Sequence, residues 1–136
     1  TVASVADGRI TPTPAGSESV GTLHLDVTLR IDDVLAGTAL PGDRIIVSWP
    51  AWEVGADGSR GAETLSGGQP LPEVGDRDLW FLFRFRVDVF GLTALEGRFD
   101  LKDGTITPRL AHPGGAGAEA DGLSYDEMAA VVAAAL

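Results

Sequence analysis

The chain has no cysteine and no asparagine, one methionine and a single lysine, Lys102, among its 136 residues. Without thiols there is no disulfide framework, no thiolate nucleophile and no cysteine-ligated zinc or iron–sulfur centre. Cations are scarce as well: 10 Lys+Arg stand against 20 Asp+Glu, a formal charge of -10. A phosphate backbone is bound by displacing its counterions with Lys and Arg, so nucleic acid is not an expected partner. No apolar run approaches the roughly 20 residues of a membrane helix, and no transmembrane segment is expected in this chain. Gly67-Gly68 lacks the Gly-Lys-Ser/Thr of a phosphate loop, and there is no G-x-S-x-G. No Asp-rich loop carries the Gly and the twelfth-position Glu of an EF-hand. The expectation is a protein without catalytic constellation, metal or cofactor.

What is present suits one domain over residues 1–136. A chain of this size buries roughly 68–70% of the surface its unfolded form exposes, enough for a core without covalent staples. The residues that do the work of the surface are Ala, Gly, Asp and Arg, a composition typical of GC-rich bacterial genomes. Thr1 is not an initiator methionine, so any targeting segment is expected upstream of it.

A first strand is expected over residues 1–10. Leu23, Leu25, Val27, Leu29 and Ile31 alternate with His24, Asp26, Thr28, Arg30 and Asp32, the period-two pattern of a strand with one face on a core and one in water. Leu40-Pro41-Gly42-Asp43 reads as a type II turn, because Pro presets φ at the second position and Gly accepts a positive φ at the third. Residues 44–49 read as the antiparallel return, bounded by Pro50. Residues 50–78 lose the pattern to Gly, Ser, Pro and acidic residues and are expected to form a long loop. Order resumes at 79–89, where Leu79, Phe81, Phe83, Phe85, Val87 and Val89 take alternate positions and predict a central core strand. Trp80 and Leu82 fill its polar face, so its first half is expected to be covered on both sides. Asp103-Gly104 between two alternating runs is a hairpin signal. Residues 111–122 read as a linker and 124–136 as a helix. Ser124 and Glu127 make a capping box, and Met128, Val131, Val132, Ala135 and Leu136 form its apolar face. A helix of about 13 residues is marginal alone and should dock on the sheet.

In this order, residues 31–37 carry a "V-x-x-V-L-x-G"-like strand end, 41–47 a "pG-D-x-I-x-V" strand, 74–83 a "VGD-x-YLLFL"-like strand and 97–106 a "G-x-F-x-x-x-DG-x-I" hairpin. The succession resembles the small β-barrel domain of bacterial extracytoplasmic proteins, whose broader relatives are the OB-like barrels of the netrin and tissue metalloproteinase-inhibitor type. The resemblance implies a mainly β fold, a small antiparallel OB-like β-barrel with a C-terminal α-helix docked on it, in an extracytoplasmic (secreted or envelope-anchored) protein. Inhibitors of that type present an N-terminal cysteine to a catalytic zinc. This chain has none, so that mechanism does not carry over.

Candidate sites are few. His24 and Asp26, two apart on the wet face of one strand, could flank a cation, but an ordinary solvated strand face explains them equally. His112 stands in a Gly-Gly linker, the place of a surface histidine. Trp49-Pro50-Ala51-Trp52 offers two indoles on a stiffened segment at the mouth of the long loop. With Glu53 and Asp57 they could stack and hydrogen-bond a sugar, or Trp49 could be core and Trp52 its cap. An acid/base pair of Glu53 with Asp57 or Glu63 is the only enzymatic arrangement to consider. The Asp-Gly pairs at 7, 57, 103 and 121 and the Asp32-Asp33 doublet read as turn chemistry. Arg30, Arg84, Arg86 and Arg98 are expected on wet faces, paired with Asp26, Asp32, Asp88 and Asp100. Together these readings favour a non-catalytic binding or protein-interaction module, its partner a protein or a glycan, with an oligosaccharide-binding module using Trp49 and Trp52 as the alternative.

Overall fold

The computed structural model describes residues 1–64, 68–87, 89–93, 97–110 and 113–136. In chain order the elements are β1 (Val2–Pro12), β2 (Gly21–Arg30), β3 (Arg44–Val54), β4 (Arg60–Glu63), β5 (Asp78–Trp80), β6 (Leu82–Arg86), β7 (Val89–Leu92), β8 (Arg98–Lys102), β9 (Thr105–Pro108), α1 (Gly115–Ala120) and α2 (Tyr125–Ala135). One sheet has the order β1-β2-β3-β7-β6 with β4 added to β3, and a second has the order β5-β8-β9. Among the described residues only the β3–β7 pairing is parallel.

The fold is thus mainly β with a C-terminal helix, but the sheets do not close into a barrel. Arg9 of β1 places its guanidinium 4.8 Å from the ring centre of Phe85 on β6, so side chains of the two outermost strands meet. Among the described residues no ladder of backbone bonds joins those strands. The start of β1 is occupied elsewhere: Val2 N–H donates to Asp76 O at 2.8 Å and Gly75 N–H to Val2 O at 2.9 Å.

The clearest sequence signal folds as its period dictates. On β2, Leu23, Leu25, Val27 and Leu29 are buried while the residues between them are only partly covered. The turn before β3 has Gly42 at φ +94° and an Asp43 N–H to Leu40 O bond of 3.0 Å, as a type II turn requires. The β8–β9 hairpin turns through Asp103 (φ 52°) and Gly104 (φ 79°), the left-handed pair of a type I′ turn.

Three expectations are corrected. The segment 50–78 is not one loop: β3 runs on to Val54 and hairpins back through β4. Pro50 does not stop the strand because a bulge separates the Leu23–Trp52 and His24–Pro50 pairs, and a bulge tolerates a residue without an N–H. The linker at 111–122 contains α1. The run 79–89 is not one core strand. It breaks at Phe81, whose N–H donates to Gly97 O on the side of the three-stranded sheet (2.8 Å) and whose carbonyl accepts from Thr93 N–H on the side of the larger one (2.9 Å). Beyond that crossing Phe83 and Phe85 of β6, and Val87 after it, are exposed, and β6 is the outer strand of its sheet.

The crossing separates two cores. Trp80 and Leu82 pack on the cluster of Val2, Leu25, Val27, Leu29, Val47, Trp49 and Ala51. Leu79 and Phe81 pack on the cluster of Phe99, Ile106, Ala120 and Met128. The first half of the run is therefore covered on both sides, with α2 on one of them. Ser124 caps α2 in a full capping box with Glu127, and Tyr125 N–H donates to Gly104 O at 2.8 Å, tying the helix to the β8–β9 turn. Its apolar face is narrower than its sequence suggests: Met128 and Val132 pack, whereas Val131 and Leu136 are exposed. Among the described residues no helix is long and apolar enough to cross a membrane.

Candidate functional site

The bulged central strands place His24 between three elements. One imidazole nitrogen lies 3.0 Å from Thr11 Oγ1 on β1 and the other 3.1 Å from Ser48 Oγ on β3. A neutral ring satisfies both, donating through one nitrogen and accepting through the other. Burial, then the charge of Arg9, holds the imidazole below its ordinary pKa, against a smaller opposing effect of Asp26. Asp26 sits close to the β1 backbone: a Cβ built on Gly8 would lie 2.5 Å from its Oδ1. Among the described residues no group of three His, Asp or Glu converges as a metal site would require. His24 ties three strands together, with both nitrogens engaged by hydroxyls. His112 lies outside the described residues, as does Asp88, the expected partner of Arg84 and Arg86.

The two indoles of 49–52 part company. Trp49 is 1% exposed, its ring 6.0 Å from that of Trp80 at nearly a right angle, so it offers a ligand no surface. Trp52 is half-buried, and Arg60 lies over its ring at 4.4 Å while bonding both oxygens of Asp7. Glu53 and Glu63 are exposed on β3 and β4. Asp57 serves the turn between them, accepting from Ser59 N–H (3.0 Å) and Ser59 Oγ (2.6 Å). Those bonds hold its carboxyl below the ordinary range, which keeps it ionised and without a proton to give near neutrality.

A charged cluster that the periodicity hides lies between the sheets. Arg98 on β8, expected on a wet face, is 0% exposed. Its Nε donates to Asp78 (2.7 Å), Nη1 to Pro70 O (2.8 Å) and Nη2 to Asp76 (2.6 Å). The guanidinium lies over Trp80 at 4.9 Å and Trp49 at 5.5 Å. Arg109 closes the cluster on Asp78 at 2.7 Å and Asp100 at 3.2 Å. Each of the three guanidinium nitrogens of Arg98 donates to the protein, so this is a bolt between sheets. Arg30 pairs with Asp32 at 3.0 Å, one residue pair that does follow the strand pattern.

Exposed aromatic side chains stand on β6. It pairs with β7 alone among the described residues and so forms an open edge. Phe83 and Phe85 stand 47% and 48% exposed, with their rings 6.4 Å apart edge to face. Arg9 and Arg86 lie over Phe85 at 4.8 and 5.6 Å, and Arg84 over Phe90 at 5.7 Å. Among the described residues no ion pair engages these three arginines, whereas Arg30, Arg60, Arg98 and Arg109 all have one. On the other side of β6, Arg84 borders an open groove of about 1170 Å³ that extends past Phe81 and Phe90 to Tyr125. There Tyr125 donates to Asp33 at 2.8 Å, and burial together with that carboxylate pushes the phenol up to about 12.

Comparison with known proteins finds no family model, no curated protein and no solved structure that matches this chain. The likeness to the netrin and inhibitor-type barrels therefore rests on the sequence motifs alone.

Proposed function

We propose that this chain is a non-catalytic protein-interaction module, extracytoplasmic as its sequence resemblance implies, and that it engages its partner through the β6 edge. The observation that carries the reading is the pair of half-exposed rings, Phe83 and Phe85, on a strand that, among the described residues, pairs on one edge alone and has arginines beside it. Edge strands are normally blunted by charge, proline or a covering element. An edge protected only against aggregation has no use for exposed aromatics, and Phe, Tyr, Trp and Arg are the side chains enriched where proteins meet.

The glycan alternative retains Trp52 and Glu53 but loses Trp49, and Arg60 already occupies one face of the remaining indole. The two readings separate in one experiment. Peptides selected from a random display library against the full chain should shift backbone amides of β6 in an NMR titration and lose binding in Phe85→Ser. Selected peptides that leave β6 unshifted, or a polysaccharide panel that alters tryptophan emission and is silenced by Trp52→Ala, overturn the interaction reading.

A further inference from the structure

We infer that Asp103 is a site of self-modification: its side-chain carboxyl closes onto the Gly104 nitrogen as a succinimide and reopens as isoaspartate, and the altered turn releases its hold on α2. The reaction needs no partner and is independent of what β6 binds. Asp-Gly is the pair most open to this chemistry, because glycine has no side chain to hinder its nitrogen, and the chain has such pairs at 7, 57, 103 and 121. The Gly104 amide nitrogen, its proton lost to solvent, attacks Cγ of the protonated carboxyl. An N–C bond forms, a C–O bond breaks and water leaves. Water then adds to one of the two ring carbonyls and breaks its bond to nitrogen. Opening at the side-chain carbonyl restores aspartate, and opening at the main-chain carbonyl leaves a backbone that runs through Cβ and Cγ. Nothing is oxidised or reduced, and water is the co-reactant.

The fold separates the four pairs. Asp7 has both oxygens bonded by Arg60, at 2.7 and 2.6 Å, and pairs with Leu25 in the sheet. Asp57 accepts from Ser59 while Gly58 N–H donates to Gly55 O at 2.9 Å. Gly122 N–H is held by Ile106 O at 2.9 Å. At 103 both reacting groups are at liberty: among the described residues no hydrogen bond or ion pair engages the Asp103 carboxylate or the Gly104 N–H. At each other pair a hydrogen bond must break first, which slows reaction there by about threefold to tenfold. Asp103 and Gly104 are exposed, and a Cβ built on Gly104 meets nothing within 4 Å, so the backbone has room to turn toward attack. Asp103 is also, among the described residues, the one non-glycine with a positive φ, 52°. That region disfavours an L side chain, and opening the turn relieves it. The product adds a main-chain atom to a two-residue turn that pairs Lys102 with Thr105, accepts Tyr125 N–H on Gly104 O at 2.8 Å and bridges Thr105 to Ser124. The first turn of α2 is thus the element that the modification reaches.

The test keeps the full folded chain near neutral pH for weeks in water enriched in heavy oxygen, with the same chain unfolded in urea as reference. Peptides are then mapped by mass spectrometry, with fragmentation that tells isoaspartate from aspartate. Relative to its rate in urea, Asp103 of the folded chain should take up heavy oxygen and form isoaspartate about threefold to tenfold faster than Asp7, Asp57 or Asp121. Isoaspartate that forms first at another pair, or a fold that protects Asp103 as fully as the other three, overturns the assignment. In the purified isoaspartyl form the Tyr125 amide should exchange hydrogen about tenfold faster or more, and unchanged protection overturns the release of α2. Asp103→Gly keeps a pair that favours the type I′ turn and, with its fold checked by circular dichroism, should retain the Tyr125 protection through the same incubation. Equal loss of protection in that variant would show that α2 loosens by another route and overturn the link.

Discussion

At the scale of single residues, two polar side chains, the half-buried His24 and the buried Arg98, carry consequences that their sequence neighbourhoods conceal. His24 is held below its ordinary pKa of 6.5 by burial and by Arg9, so the folded chain binds the imidazole proton less readily than the unfolded chain does. Stability is therefore full above that value and declines as pH falls through 6.5 toward the folded pKa. Urea unfolding between about pH 8 and pH 5 should show this slope. His24→Gln, which keeps hydrogen-bonding capacity without titrating, should flatten it, and a flat profile in the unmodified chain would count against the assignment. Arg98 is the opposite case, a charge whose fold value lies in being paired. Removing one member of a buried pair costs about 3–5 kcal/mol because the other is left uncompensated. Arg98→Met strands Asp78, itself fully buried, with Arg109 alone. That variant should lose stability in this range, against less than about 1 kcal/mol for Arg30→Met at the exposed Arg30–Asp32 pair. Equal losses in denaturant titrations of the two would mean that Arg98 is not the bolt its geometry describes.

At the scale of elements, what the sequence made legible was local and what it hid was distant. The capping box of α2 is readable because Ser124 and Glu127 are three residues apart and answer only to each other. Ser124→Ala should therefore cost about 0.5–2 kcal/mol, and a calorimetric or urea measurement showing no loss would place the helix stop elsewhere. The Asp103-Gly104 turn and the half-buried β2 were readable for the same reason. Alternation over 79–89 was real, yet period two states which residues share a face and not whether that face meets a core. Leu79 to Leu82 meet two cores in turn, whereas Phe83 and Phe85 follow the same rhythm onto an open edge. The proline at 50 reads as a strand end because the bulge that admits it is made jointly with β2. Of the site, Trp49 and Trp52 were visible as candidates, but three residues of spacing cannot say which indole is buried. Arg98 escaped because its partners lie 20 and 22 residues earlier, across a sheet boundary.

At the scale of the whole molecule, the question is whether two sheets with two cores unfold as two bodies. Among the described residues the second core has four buried members, Phe99, Ile106, Ala120 and Met128, with the 11-residue α2 over it. Cores of that size rarely hold without support. Its support is shared with the first core: the chain crosses between them at Phe81, and Arg98 reaches from β8 onto Trp49 and Trp80. Tryptophan emission reports the first core through Trp49 and Trp80, while far-UV circular dichroism includes α2 over the second. The two signals should follow one transition with a common urea midpoint, as two-state unfolding requires. In Arg98→Met both midpoints should fall together, because the crossing at Phe81 remains after the guanidinium is gone. Separate midpoints in the unmodified chain would show that the α2-bearing sheet stands as an independent unit. Separation only in Arg98→Met would assign the coupling to the charged bolt and not to the continuous strand that passes between the cores.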